Sequence, residues 1–167
     1  MIYKSNALLN RIIDKMLNSP IENPRLDTKV LLANALGCSV DRITIDELIE
    51  ISNSQMKVIN RSIERRINGE PVSRIIGKRE FWSLDFKITR ATLDPRHETE
   101  TLIDVILNYI HLSNNNLSIL DLGTGSGCIL LSLLSEMKCA FGVGLDISYD
   151  AIEVAKINSE ALGLSDR

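Results

Sequence analysis

The chain has 167 residues, of which 44% are hydrophobic and only 4% aromatic, and a formal net charge of −3. That length suffices for one or two small domains with aliphatic cores, and the near-neutral balance gives no overall drive toward nucleic acid or anionic lipid. Three cysteines without C-x-x-C spacing (Cys38, Cys128, Cys139) argue against a disulfide or zinc framework and fit a reducing cytoplasm, and no apolar run approaches the roughly 18 residues of a membrane span.

The first residues lack a signal-peptide pattern and lead into a helix, with Leu8, Leu9, Ile12, Ile13, Met16 and Leu17 at helical spacing. Pro20 and Pro24 interrupt the pattern. A second helix is expected over 27–36, with Gly37 where a left-handed cap belongs, and a short helix over 46–51. Ser54 is the expected cap of a longer helix to Ile67, with Val58, Ile59, Ile63 and Ile67 on one face and Gly69 and Pro71 ending it. Residues 1–71 thus read as an all-α bundle that offers no catalytic group. Residues 57–79 hold seven basic side chains against Glu64 and Glu70. That run reads as a solvated helix face or as a docking face for an acidic partner or ribosomal RNA.

At Trp82 the period changes. Trp82, Leu84, Phe86 and Ile88 alternate with polar residues, the pattern of a half-buried strand. Val72–Ile76 is the expected partner, joined through Gly77-Lys78-Arg79, so that 72–95 reads as a β-hairpin linker. Helical spacing returns over 98–110, with His111 placed to favour the helix dipole and Asn114-Asn115-Asn116 as a short polar loop. A strand over 117–122, a helix over 126–137, a strand ending at Asp146 and a helix over 149–162 capped by Gly163 follow. The fold class is therefore α/β preceded by an all-α domain, with 96–167 as an incomplete Rossmann-like domain.

Asp121-Leu122-Gly123-Thr124-Gly125-Ser126-Gly127 joins the first of those strands to its helix. Glycines at this point let backbone approach a ligand without a Cβ in the way. Asp146, roughly 20 positions on, is placed to accept hydrogen bonds from ribose hydroxyls. The dinucleotide fingerprint wants a third glycine where Cys128 stands, and no P-loop lysine follows. Asp121 would also set a carboxylate near a pyrophosphate, whereas a cationic sulfonium tolerates it. The loop reads as the first motif of S-adenosylmethionine (SAM) methyltransferases. An NAD site and an ordinary turn in an α/β sheet are the alternatives.

Four segments in one order, Gly69-Glu70-Pro71, Ile76 through Trp82, Asp94-Pro95-Arg96-His97-Glu98-Thr99-Glu100 and Asp121 through Gly127, resemble the HemK/PrmC family of glutamine N5-methyltransferases over nearly the whole chain. The resemblance implies a helical substrate-recognition domain, a hairpin linker and a seven-stranded SAM-binding domain. It also implies methylation of the glutamine amide in the Gly-Gly-Gln motif of peptide-chain release factors, in the cytoplasm, with ribosome contact possible and neither membrane nor direct DNA binding. A ribosomal-protein glutamine is the alternative substrate. Carried over, Gly123, Thr124, Gly125, Ser126 and Gly127 would line the methionine and ribose portions of SAM, and Asp146 would hold the ribose hydroxyls. Arg96 and Glu98 lie where relatives close the methionine end, although Arg96 also reads as a surface ion-pair partner of Glu98 or Glu100.

The chain departs from the family pattern at Asp94, where an apolar residue is usual, and at His97, where a proline is usual; His97 reads as a solvated histidine rather than a base. The family's Asn-Pro-Pro-Tyr, which grips the substrate amide, does not occur in these residues. The expectation is an N-terminal portion of a longer methyltransferase, without a catalytic residue or metal ligand of its own and inactive in isolation. A non-catalytic module that recognises release factor or ribosome is the alternative of a different class.

Overall fold

The computed structural model describes residues 1–45, 48–110 and 117–167. They form two compact units, Met1–Ile76 and Gly77–Arg167. Asp46, Glu47, His111 and the Asn114-Asn115-Asn116 run lie outside the described residues.

The first unit runs β1 (Ile2–Lys4), α1 (Ser5–Met16), α2 (Pro24–Leu36), α3 (Val40–Ile45), β2 (Leu48–Glu50), α4 (Asn53–Ile67) and α5 (Val72–Ile76). Its core gathers the expected aliphatic stripes: Leu9, Ile12 and Met16 from α1, Leu31 and Leu32 from α2, Ile59 and Ile63 from α4. Val58 lies outside this stripe, exposed on α4.

Four local expectations are corrected. The helix expected over 46–51 is instead strand β2 in its described part, antiparallel to β1 with Tyr3 opposite Ile49. The Ile51 N–H donates to the Met1 carbonyl at 2.8 Å, and the terminal ammonium donates to the Ile51 carbonyl at 2.9 Å. Non-local pairing with residues that carry no strand signal of their own overrides local helix propensity here. Helix α2 begins earlier than expected because Asn23 caps it, its Oδ1 accepting from the Leu26 N–H at 3.1 Å, with Pro24 in the first turn.

The cap of α4 is Ser52, not Ser54. Ser52 Oγ accepts from the Gln55 N–H at 3.2 Å and Gln55 Oε1 accepts from the Ser52 N–H at 2.9 Å, a reciprocal capping box. Ser52→Ala is expected to cost about 1 kcal/mol in urea unfolding, whereas Ser54→Ala should leave the midpoint within experimental error.

Val72–Ile76 is a helical turn, not a strand. The Ile75 N–H donates to the Pro71 carbonyl at 3.0 Å, and the Arg65 guanidinium reaches the carbonyls of Arg74 and Ile75, both at 3.4 Å. The basic run is largely engaged inside the units. Arg65 makes a two-pronged pair with Glu70 at 2.6 Å, Arg66 pairs with Asp27 at 2.6 Å, Lys78 with Asp85 at 2.7 Å and Arg79 with Asp94 at 3.9 Å. Lys57 and Arg61 are exposed. A continuous docking face for acidic partners therefore has less to present than the count of charges implies.

The second unit runs β3 (Lys78–Phe81), β4 (Leu84–Lys87), a single 3-10 turn (His97–Thr99), α6 (Glu100–Ile110), β5 (Ser118–Leu122), α7 (Cys128–Glu136), β6 (Phe141–Leu145) and α8 (Tyr149–Ala161). The hairpin is β3–β4, with Phe81 opposite Leu84. Trp82 and Ser83 form its two-residue turn, both with positive φ (52° and 58°), a conformation that normally selects Asn or Gly. This is why Trp82, expected in the strand, stands in the turn. Its N–H donates to Glu100 Oε1 at 3.2 Å and its indole Nε1 to Glu136 Oε1 at 2.8 Å. Phe81 and Phe86 meet edge to face at 6.2 Å and pack with Ile103, Leu130, Leu131 and Leu134.

Strands β5 and β6 pair in parallel from Ser118 opposite Phe141 to Leu122 opposite Leu145. The crossover through α7 and the return through α8 are those of an α/β sheet opening a Rossmann-like domain. Among the described residues no helix is long and apolar enough to cross a membrane.

Candidate cofactor site

The parallel pair ends in a loop with three glycines at positive φ: Gly123 at 80°, Gly125 at 57° and Gly127 at 79°. These glycines have two different jobs. A Cβ on Gly123 would meet nothing within 4 Å, and one on Gly125 only the Gly123 carbonyl at 4.0 Å. Glycine serves there for backbone conformation, and the space beside the chain is open. A Cβ on Gly127 would lie 3.0 Å from Leu131 Cδ1 and 3.3 Å from Ala155 Cβ, so this glycine brings α7 and α8 together. It takes the packing role that the dinucleotide fingerprint gives to its last glycine, where this chain has Cys128.

The loop is fixed to the end of β6. The N–H groups of Gly123 and Thr124 both donate to the Leu145 carbonyl, at 2.8 and 2.9 Å. Asp146 completes the anchor: its Oδ2 accepts from the Gly125 N–H at 2.9 Å and its Oδ1 from the Ser148 N–H at 2.8 Å. Those donors, Ser148 first and then Gly125, hold the Asp146 carboxyl below its ordinary range. Each carboxylate oxygen accepts one of these bonds and retains a second acceptor position. Asp121 lies below the loop and accepts from the buried Thr124 hydroxyl at 2.8 Å.

The structure thus joins Gly123, Thr124, Gly125 and Asp146 through one hydrogen-bonded arrangement, with Ser126 and Gly127 continuing it into α7. Ser126 is buried, and its carbonyl accepts from Asn158. Burial pushes the Cys128 thiol up from its ordinary range, so it is no candidate nucleophile. Arg96, His97 and Glu98 are exposed, and no hydrogen bond or ion pair among the described residues joins them to the loop. His97 Nδ1 lies 3.2 Å from Glu100 Oε1, with its side chain 73% exposed. The alternative ion pair of Arg96 with Glu98 or Glu100 is not formed among the described residues. No cluster of metal-ligating side chains is present among the described residues.

Sequence reading passed over Gly142, Gly144 and Asn158. The glycines alternate along β6 on its helix-covered face, where a Cβ would strike Leu130 and Thr124 respectively. Glycine at every second position of an apolar strand was the available signal. A cavity of about 200 Å³ lies on this covered side, between Thr124, Gly127, Leu130, Gly142, Gly144 and Ile152; Gly123, Gly125 and Asp146 do not border it.

Comparison with known proteins gives a match in each part of the chain. Residues 7–77 match the PrmC N-terminal domain and residues 113–166 match a methyltransferase domain. By these matches the chain resembles the HemK/PrmC family. It is 43% identical to a release factor glutamine methyltransferase of Buchnera aphidicola subsp. Schizaphis graminum over 95% of the chain and 56% of that protein. It is 40% identical to another from Bradyrhizobium diazoefficiens over 92% of the chain and 52% of that protein. A bifunctional methyltransferase of Rickettsia bellii is 34% identical over the whole chain and 34% of its own length. The chain spans about half the length of the release factor methyltransferases it matches, and a SAM-type methyl donor goes with the matched methyltransferase domain.

Proposed function

We propose that this chain supplies the recognition region and the cofactor half-site of a cytoplasmic SAM-dependent methyltransferase. Its substrate is the glutamine amide of the Gly-Gly-Gln motif in peptide-chain release factors. The helical region precedes the cofactor region in the chain and carries no candidate catalytic group, which suits it to recognition. The observation that carries the reading is the anchored Asp146 carboxylate beside the open backbone of Gly123 and Gly125.

SAM, when bound, supplies an electrophilic methyl group on a sulfonium. Gly123, Thr124, Gly125, Ser126 and Gly127 would hold its methionine and ribose portions, because the first and third of these leave room for close backbone approach. Asp146 would accept from the ribose hydroxyls with the acceptor positions that Gly125 and Ser148 leave free. Asp121, 2.8 Å from the Thr124 hydroxyl, puts negative charge under the loop. That charge suits a cation and opposes a pyrophosphate, which favours SAM over NAD. The chemical step also requires the weakly nucleophilic amide nitrogen to be oriented toward the methyl in a water-poor pocket. Residues 1–167 lack the Asn-Pro-Pro-Tyr motif that would orient it.

Calorimetric titration with S-adenosylhomocysteine tests the reading. Binding is expected, weakened about tenfold or more by Asp146→Ala, consistent with loss of a charged hydrogen-bond acceptor, and NAD should not compete. A chain that is folded by circular dichroism yet binds no S-adenosylhomocysteine would overturn it. With labelled SAM and a release factor, residues 1–167 are expected to transfer no methyl group.

A further inference from the structure

Asn158 sits on α8 and is 1% exposed. Its side-chain amide joins three elements. Oδ1 accepts from the Lys87 N–H at 2.8 Å, while Nδ2 donates to the Lys87 carbonyl at 3.0 Å and to the Ser126 carbonyl at 2.8 Å. The side chain therefore pairs with Lys87 as a neighbouring strand would, at the end of β4, and holds the cofactor loop with its second N–H. Both amide donors are satisfied, as a buried amide requires. Aliphatic packing could close this gap without polar atoms, but only a primary amide offers one acceptor and two donors in this arrangement.

We propose that Asn158 is a positioning residue that couples the loop 123–127 to the end of the hairpin, so that occupation of the loop is felt at Lys87. The proposal rests on reading the loop as the SAM site. If loop and hairpin end share one amide, a ligand that orders the loop must also order the Lys87 backbone, and the coupling is reciprocal. Lys87 leads directly into Ile88 and the Thr89–Thr92 turn, whose Thr92 hydroxyl donates to the Thr89 carbonyl at 3.3 Å. This is the start of the segment that carries Arg96 and Glu98.

Asn158→Asp separates coupling from simple loss of a bond. The carboxylate keeps an acceptor for the Lys87 N–H but removes both donated bonds, to the Lys87 and Ser126 carbonyls. Asn158→Leu is the second variant, and Ile103→Val, a buried change on α6, serves as the stability control. The readout is amide hydrogen exchange at Lys87. Saturating S-adenosylhomocysteine is expected to slow it about tenfold in the unmodified chain and to leave it unchanged in Asn158→Asp, while Ile103→Val keeps the full response.

A ligand-free arm keeps the two readings apart. Asp146→Ala frees the Gly125 N–H and loosens the loop. It should speed Lys87 exchange in the unmodified chain, with no further increase when added to Asn158→Asp or to Asn158→Leu. If S-adenosylhomocysteine fails to bind, the cofactor reading fails and this arm still decides the coupling. Lys87 exchange that ignores Asp146→Ala, or a ligand response that survives in Asn158→Asp, would overturn the proposal.

Discussion

Alanine at Gly144 is expected to destabilise the Gly77–Arg167 unit by about 2–3 kcal/mol, and alanine at Gly142 by only about 1 kcal/mol. The order is not that of the bare distances. A Cβ at Gly142 would lie 2.5 Å from Leu130 Cδ1, closer than the 2.8 Å between a Cβ at Gly144 and Thr124 Oγ1. What decides is whether the neighbour can move. The contacts at Gly142 are all with one flexible leucine side chain, Leu130 Cγ at 3.1 Å and Cδ2 at 3.3 Å included, and that side chain borders the 200 Å³ cavity into which it can shift. Thr124 borders the same cavity but is β-branched and stiff at χ1. Its Cβ and Cγ2 would both stand 3.0 Å from the new methyl, its hydroxyl is bonded to Asp121 and its N–H to Leu145. Moving it drags the 123–127 loop.

Urea unfolding of both variants checks the order. The double variant Gly144→Ala with Thr124→Gly should show less than the sum of the single costs, because the clash is then gone. A Gly142→Ala cost larger than that of Gly144→Ala would sink this account. Gly144→Ala should also weaken S-adenosylhomocysteine binding, while Gly142→Ala should not.

Much of this site was legible in the residues. The glycine spacing, the apolar runs on either side and Asp146 at a strand end each follow from backbone sterics and period, and the loop, β5, α7, β6 and α8 stand close to where those signals put them. What was not legible depends on partners distant in sequence. Strand β1 has no alternation to detect over three residues and exists because Leu48–Glu50 pairs with it. Trp82 and Ser83 adopt a turn conformation with no Asn or Gly to announce it; Glu100 and Glu136 hold Trp82 from elsewhere in the unit. Val72–Ile76 carries an apolar pattern too short to tell strand from helix, and the Arg65 guanidinium at its carbonyls favours the helix. Asn158 looks like any polar residue on an amphipathic helix until Lys87 and Ser126 are brought to it. The charge count over 57–79 overstated a free basic surface because the acidic partners Asp27, Asp85 and Asp94 all lie outside that window.

The polypeptide of residues 1–167 is expected to self-associate, through the side of its sheet that no helix among the described residues covers. Along β5 and β6 the covered positions are Ile119, Asp121, Gly142 and Gly144. The alternate positions Leu120, Leu122, Phe141, Val143 and Leu145 are exposed, Leu122 to 73% and Val143 to 58%. Five large apolar side chains on two adjacent strands form a contiguous patch of the kind that soluble monomers rarely leave bare, and among the described residues the outer edge of β5 beside it has no paired strand. Sedimentation velocity over a concentration series should show association. Leu122→Lys with Val143→Lys should weaken it about tenfold or more, as loss of the burial of two aliphatic side chains requires, without lowering the thermal midpoint, because neither residue belongs to the unit's core. A strictly monomeric chain at high micromolar concentration would refute the expectation. In a protein of the length of its relatives the same two lysines should instead lower stability, since there the remaining half of the chain is available to cover this face. The two outcomes distinguish a face that is tolerated bare from one that the rest of a methyltransferase domain buries.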